Sequence, residues 1–333
     1  MLIIPKNKKL LLVLTCVTLL SLSLAGFGFF LATPPGDGKN TRIFDFAEGY
    51  SFRKFAGELE SSGIISSARL FVIYARIRSA DARVKAGSYQ FSDGLSPAEI
   101  LRRMVAGEIF AYRFAVPEGY SMYQIAELME SRGLFKKEAF LKQCVNREIP
   151  KDLGIHGKSV EGYLFPSTYN IPPGMDEEGV IRMMVGQFEK VYGLKFADRV
   201  EALGISRSSV VTLASIIEKE AVSPAERPLI ASVFRNRINR RMPLQSDPTA
   251  VYGVRSFPGK VTKHDIMRRS PYNTYVIKGL PPGPIGNPGS EAIEAVLAPA
   301  STNYLYFVAK KDGSHFFSAT LEEHNRAVRK YLR

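Results

Sequence analysis

The sequence predicts an α+β protein: an N-terminal transmembrane helix, a small α+β module and a larger α+β domain. Three observations carry this. Leu10 to Ala32 run without a charge, matching the roughly 20 apolar residues that cross a bilayer. A strand-turn-helix frame occurs twice, at 48–63 and 118–133. The second half holds an apolar helical run ending in Glu218-Lys219-Glu220, followed by loops dense in Pro and Gly.

Lys6, Lys8 and Lys9 precede the apolar run and no comparable basic cluster follows it at once. This predicts residues 1–9 as a cytoplasmic tail, 10–32 as the span and everything beyond as external. The competing reading is a cleaved signal peptide with small residues at Ser23-Leu24-Ala25. The apolar stretch, however, continues to Leu31, past a usual signal core. Both readings export the body. Cys144 is the only cysteine outside the span and Cys16 lies within it, so no internal disulfide joins them and packing must supply stability. The net charge is +13, of which the three tail lysines supply three, leaving +10. A basic surface of that size suits nucleic acid, acidic lipid headgroups or an anionic wall polymer. Export and the lack of basic runs interleaved with aromatics argue against nucleic acid, and a solvated mixed-charge surface accounts for the balance without a polymer.

Thr33 to Asn40 is a turn-rich linker, with 33–42 clearing the membrane. Arg42 to Phe46 alternates like a strand and leads into Glu48-Gly-Tyr-Ser, the frame that returns as Glu118-Gly-Tyr-Ser. In each copy Ser caps a helix, Phe55 or Ile125 starts the buried stripe, and a Gly ends it. Between the copies, 86–91 reads as a strand and 95–107 as a Ser-capped helix with Pro at its first turn. The strand, Gly-x-Ser turn and following helix resemble the LysM glycan-binding module, so 43–172 reads as a LysM-like region. A βα spacer without a ligand accounts for the same pattern.

Lys136 to Cys144 and Glu177 to Tyr192 have helical patterns, and between them lies Glu161-Gly-Tyr-Leu-Phe-Pro-Ser-Thr-Tyr169. Sugars stack on flat aromatic faces, so Tyr163, Phe165 and Tyr169 are candidates for a glycan groove; core packing is the other use of such rings. The remaining domain, 173–333, centres on Val211 to Ala221, a helix-forming run without Gly or Pro. Two residues along a helix is a rotation of about 200°, so Glu218 and Glu220 point to different sides. Ala214 and Ser215, one turn before Glu218, are small and leave room for a ligand; Glu220 follows Ile216 and Ile217. A carboxyl against an apolar wall stays protonated near neutrality, as a general acid must, and the spacing favours Glu218. The alternative makes both glutamates ion-pair partners of the Arg-rich helix expected over 226–241, with Arg227, Arg235, Arg237, Arg240 and Arg241 available. Further on, Asp247 reads as a helix N-cap with Pro248 at the first position. Ser270 to Tyr275 and Gly279 to Gly289 are stiff loops that cost little entropy to hold beside a ligand. Ser290 caps a helix to 297, 304–309 and 315–318 form a hairpin, and Thr320 to Glu323 is a capping box.

Taken together, several motifs resemble the YceG-like endolytic murein transglycosylases. They are Glu161-Gly-Tyr-Leu-Phe-Pro, Leu213 to Glu220, Leu244-Gln-Ser-Asp-Pro-Thr249, Ser270 to Tyr275, Gly279-Leu-Pro-Pro-Gly-Pro-Ile, Tyr304 to Val308, Gly313-Ser-His-Phe316 and Glu323-His-Asn325. The resemblance implies a single-pass inner-membrane protein whose periplasmic part cuts nascent peptidoglycan strands between N-acetylmuramic acid and N-acetylglucosamine. It is read as assigning the catalytic glutamate to the first of the pair, Glu218. Gln245, Asn273 and Tyr275 fall on motif positions and are inferred to contact sugar, with Glu161, Tyr163 and His315 as further substrate contacts.

A lytic transglycosylase needs one carboxyl, which protonates the leaving oxygen and then takes the proton of the muramic C6 hydroxyl as it closes on C1. A hydrolase needs two, and Glu161 or Glu220 would supply the second. No cofactor or metal is implied, because His156, His264, His315 and His324 lack ligand spacing. The expected partners are peptidoglycan strands, inner-membrane lipid and cell-wall synthases. A membrane-anchored glycan-binding scaffold, with Glu218 structural, is the reading from another class.

Overall fold

The computed structural model describes residues 8–254 and 261–332. The expected tail therefore lies largely outside the described residues, which begin with Lys8 on the first helix. In chain order the elements are α1 (Lys8–Ala32), β1 (Thr41–Phe46), α2 (Phe52–Ser61), α3 (Ala68–Ile77), β2 (Gly87–Ser92), α4 (Pro97–Ala106) and β3 (Tyr112–Ala115). Then come α5 (Met122–Ser131), α6 (Lys137–Cys144), α7 (Glu148–Asp152), β4 (Thr168–Ile171), α8 (Glu177–Lys195), α9 (Ala197–Ala202) and α10 (Arg207–Glu220). The chain closes with α11 (Arg227–Asn239), α12 (Asp247–Val251), α13 (Lys263–Met267), α14 (Ser290–Leu297), β5 (Tyr306–Ala309), β6 (His315–Ser318) and α15 (Leu321–Tyr331). This is the expected α+β composition with an N-terminal apolar helix.

Two compact units result: Met1–Tyr112 with Asn170–Gly174, and Arg113–Tyr169 with Met175–Arg333. The 172/173 boundary expected from sequence lies within Asn170–Gly174, which belongs to the first unit. The two copies of the repeat go to different units: α2 belongs to the first and α5 to the second.

The first unit is a β1–β2 antiparallel pair, registered Thr41↔Ser92 to Phe46↔Gly87, covered by helices. Alternation along β1 sends Phe44 and Phe46 inward, where the Phe46 and Phe55 rings meet edge to face at 5.1 Å. Phe55 and Leu59 of α2, Phe71 and Ala75 of α3, and Ile100 and Met104 of α4 complete the core, which also takes in Phe30 from the last turns of α1. Helix α4 starts and stops as its sequence dictates. Ser96 Oγ accepts from the Glu99 amide, and Gly107 closes the helix at φ +74°, where a side chain would be strained.

In the second unit α10 is the central helix, buried from Val210 to Ile217 and capped by Ser206. It packs on α11, α12 and α14. Leu213, Ile216 and Ile217 meet Ile230 and Phe234 of α11, Leu244 and Ile285 in one cluster. Helix α5 begins with the capping box between Ser121 and Gln124, and α15 with the expected box between Thr320 and Glu323. The β5–β6 hairpin registers Tyr306↔Ser318 to Ala309↔His315 and packs under α15.

Candidate active site

The two glutamates at the end of α10 meet different surroundings. Glu218, with a side chain only 5% exposed, accepts from Arg227 Nη2 at 2.8 Å and from the Gly289 amide at 2.9 Å. Arg227 also pairs with Glu291 and lies 3.5 Å from Glu118. Gly119, at φ +75°, brings its backbone against the Glu218 side chain, so that a Cβ there would sit 3.3 Å from Glu218 Cγ. Glu218 therefore ties α10 to the start of α11 and to the turn before α14. Both its oxygens are engaged by donors, Oε1 by Arg227 and Oε2 by the Gly289 amide.

Glu220 instead lines a groove of about 580 Å³ together with Arg237, Gln245, Asp247, Tyr275, Tyr306, His315, His324 and Asn325. The Ser246 hydroxyl donates to its Oε1 at 2.5 Å. Withdrawal from water raises its pKa to about 7, against the pull of the Ser246 hydrogen bond and with a further push from the Asp247 charge. The turn before α12 builds this wall. Gln245 holds φ +50°, a left-handed conformation costing of order 1 kcal/mol in a residue with a Cβ, and its amide donates to Thr274 O at 3.1 Å. Exposure then alternates, with Gln245 outward, Ser246 buried and Asp247 outward. Asp247 Oδ1 accepts from the Tyr275 hydroxyl at 2.6 Å. Behind the groove Arg237 is buried, donating to Leu305 O at 2.7 Å, Leu244 O at 2.8 Å and Gln245 Oε1 at 3.3 Å, with its guanidinium over the Tyr306 ring. A carboxyl with a pKa near 7, partly open to a polar groove with Asp247 beside it, is equipped for proton transfer to a bound polymer.

A sequence profile of the YceG-like family matches residues 44–330. The chain belongs to the YceG-like family. The endolytic murein transglycosylase of Bacillus subtilis is 34% identical over 313 residues, covering 89% of this chain and 86% of that protein. That of Streptococcus pneumoniae strain R6 is 30% identical, covering 86% of this chain and 57% of the relative. The crystal structure of a YceG-like protein from Listeria monocytogenes superposes with a TM-score of 0.61 at 34% identity, covering 87% of this chain and all of that one.

Within this YceG-like fold, three of the substrate contacts expected from sequence reach the groove: Gln245, Tyr275 and His315. His315 is held by Glu226, whose carboxylate meets its Nδ1 and its amide at 2.8 Å each. The other three are occupied by the fold. Asn273, fully buried, donates to the carbonyls of Asp265, Ile266 and Arg268 and accepts from the Tyr275 amide, clamping the 265–275 loop. Glu161, also buried, accepts from the Met122 amide at the start of α5 at 3.0 Å, from Tyr252 at 2.9 Å and from Asn287 at 3.0 Å. Desolvation raises its pKa to about 7. Tyr163 is 2% exposed and packs edge to face on Phe188 at 5.0 Å; Phe165 and Tyr169 are buried with it. None of these lines the Glu220 groove; Glu161 and Tyr163 border a separate cavity with Tyr272 and Pro284.

Glu218, expected from sequence as the catalytic residue, does not line this groove. The room expected beside Ala214 and Ser215 is filled, since the Ser215 hydroxyl accepts from the Ile285 amide of the Pro-Gly loop at 3.0 Å. The Arg-pairing alternative describes Glu218, through Arg227. Asp247 is not a cap: Ser246 precedes the first turn of α12 and Asp247 is its first residue. Ser290 is likewise the first residue of α14 behind Gly289. Sequence reasoning passed over Ser246, Asp247 and Arg237 as groove builders. The Gln-Ser-Asp-Pro run held the signal, as three consecutive polar residues of which a cap needs one.

Proposed function

We propose that this chain is a membrane-anchored endolytic lytic transglycosylase, cutting peptidoglycan strands between N-acetylmuramic acid and N-acetylglucosamine to leave 1,6-anhydro ends, with Glu220 as the acid and then the base. The observation that carries the choice of residue is Glu220 itself, lining the groove with a pKa near neutrality, while Glu218 is locked to Arg227 and Gly289. The activity is that named for the B. subtilis and S. pneumoniae relatives.

In this reading Ser246 fixes Glu220 Oε1, so Oε2 carries the proton given to the glycosidic oxygen. As the bond breaks, positive charge develops at C1, and the Asp247 carboxylate stabilises it across the groove. Glu220, now ionised, removes the C6 hydroxyl proton while that oxygen attacks C1, which returns the carboxyl to its starting state. Gln245, Tyr275 and His315 position the strand. The second compact unit is the transglycosylase domain, and the first is a LysM-like module that holds glycan or sets the height of the site. Helix α1 is long and apolar enough to span a membrane over Leu10–Ala32. We assign it as a single-pass anchor in the inner membrane, with its amino end cytoplasmic, the body periplasmic, and lipid and wall synthases as neighbours.

Asp247 beside Glu220 also supports a hydrolase, in which it would activate water. The product end separates the two. Mass spectrometry of uncrosslinked strands treated with wild type, Glu220→Gln and Glu218→Gln is expected to give anhydro ends from wild type and none from Glu220→Gln. Reducing ends from wild type would make the enzyme a hydrolase. Cleavage retained by Glu220→Gln would remove Glu220 from the role.

A further inference from the structure

Helix α3 carries an apolar strip that the core of its unit covers only along one side, at Leu70 and Tyr74. Phe71 and Ala75 face the core, yet Ile73 is 40% exposed and Ile77 68%. Residues three and four apart are neighbours on a helix, so Leu70, Ile73, Tyr74 and Ile77 form one continuous strip. One edge of that strip is already occupied by α1, whose Phe27 ring stands 6.5 Å from the Tyr74 ring, edge to face. The strip continues from that edge into the open through Ile77 and Ile73. Its far border is basic: Arg69 and Arg76 lie four and three positions from Ile73, both exposed, and Arg78 and Arg83 follow with Asp81 the one acid among them. No acidic residue occurs in α3 itself.

The position of Phe27 sets the height of this strip. Phe27 lies five residues before the end of the apolar helix at Ala32, and at a rise of ~1.5 Å per residue that is roughly 8 Å inside the end. Phe30 and Leu31, nearer the end, are also built into the same core. A helix resting on Phe27 is thus held at the depth where amphipathic helices lie, about 5–10 Å into the boundary of headgroups and acyl chains.

We infer that α3 is an interfacial helix, burying Ile73 and Ile77 in the outer leaflet of the bilayer that α1 crosses, with Arg69, Arg76 and Arg78 among the headgroup phosphates. This rests on α1 being a membrane anchor. It gives the first unit a second attachment beside the span and, because α1 is packed into the core of that unit, restrains the tilt of the two together against the bilayer.

The chain contains no tryptophan, so one introduced indole reports its own surroundings. Full-length Ile77→Trp is reconstituted in phosphatidylethanolamine/phosphatidylglycerol vesicles with ordinary or brominated acyl chains, with Ile73→Trp as a second reporter. Phe29→Trp, on an exposed face of α1, is the reference for insertion. The expected result is blue-shifted emission from Ile77→Trp and Ile73→Trp, lowered severalfold by the brominated lipid, as for Phe29→Trp. Quenching of Phe29→Trp with no difference at either α3 reporter would overturn the inference and leave the anchor intact. No quenching at Phe29→Trp would overturn both.

Discussion

Glu218 and Glu220 stand two residues apart on α10, and one is an ion-pair anchor while the other faces a groove. The first carboxylate meets Arg227 and the Gly289 amide; the second meets Ser246 and the space beside Asp247. Conservative replacement should therefore separate stability from activity. Glu218→Gln leaves Arg227 only its more exposed partners Glu291 and Glu118 and weakens the acceptor for the Gly289 amide, so unfolding stability is expected to fall by about 1–3 kcal/mol. Urea denaturation measures it. Glu220→Gln should unfold near the wild-type midpoint while turnover falls by roughly 10²–10⁴-fold. Equal stability loss in both variants would contradict the division of roles.

The pH profile follows from the same carboxyl. Glu220 must be protonated to begin the reaction, and its pKa is raised to about 7 by burial, with the Asp247 charge contributing. Activity should fall as pH rises through about 7. Asp247→Asn removes a negative neighbour, so ionisation becomes easier and the falling limb moves to lower pH. Initial rates with uncrosslinked strands from pH 5 to 9 test this, and an unmoved limb in Asp247→Asn would show that Asp247 exerts no field on the acid.

The elements with local signals were legible in the sequence: the caps of α4 and α15, the β5–β6 hairpin and the apolar α1. The choice between Glu218 and Glu220 was not. Helical rotation shows that the two point apart, but the side that opens depends on where the Pro-Gly loop returns, and Ile285 joins Ser215 from 70 residues away. Small residues at 214 and 215 looked like space for a ligand and are instead the seat of that loop. The same distance effect hid the role of Glu161, which joins α5 to Asn287; Asn273 was hidden by loop geometry instead, its amide being spent on three carbonyls of its own loop.

Glu161 predicts a pH-dependent stability. Its folded-state pKa is raised from 4.5 to about 7, so the stabilisation it gains from protonation is full below the unfolded pKa near 4.5 and is lost as pH rises to about 7. The window spans 2.5 pH units, corresponding to roughly 3 kcal/mol. Glu161→Gln cannot ionise and should make the wild-type decline in Tm between pH 4.5 and 7 shallower, leaving the share that Glu220 contributes through its own raised pKa. A decline of unchanged size in the variant would assign it to other groups.

Asn273 separates a structural motif residue from a substrate contact. Its side chain gives its amide to three carbonyls and receives the Tyr275 amide, all within one loop. Truncation leaves buried polar groups unpaired, at about 1–3 kcal/mol. Asn273→Ala should thus lower the Tm and, because the loop carries Tyr275 to the groove, reduce turnover only in proportion to the loop's loss of order. Gln245→Ala, at an exposed position lining the groove, should instead leave the Tm within a degree or two and raise KM. If Asn273→Ala raised KM with an unchanged Tm, its amide would be reaching the strand after all, and the clamp seen in the 265–275 loop would have to open on binding.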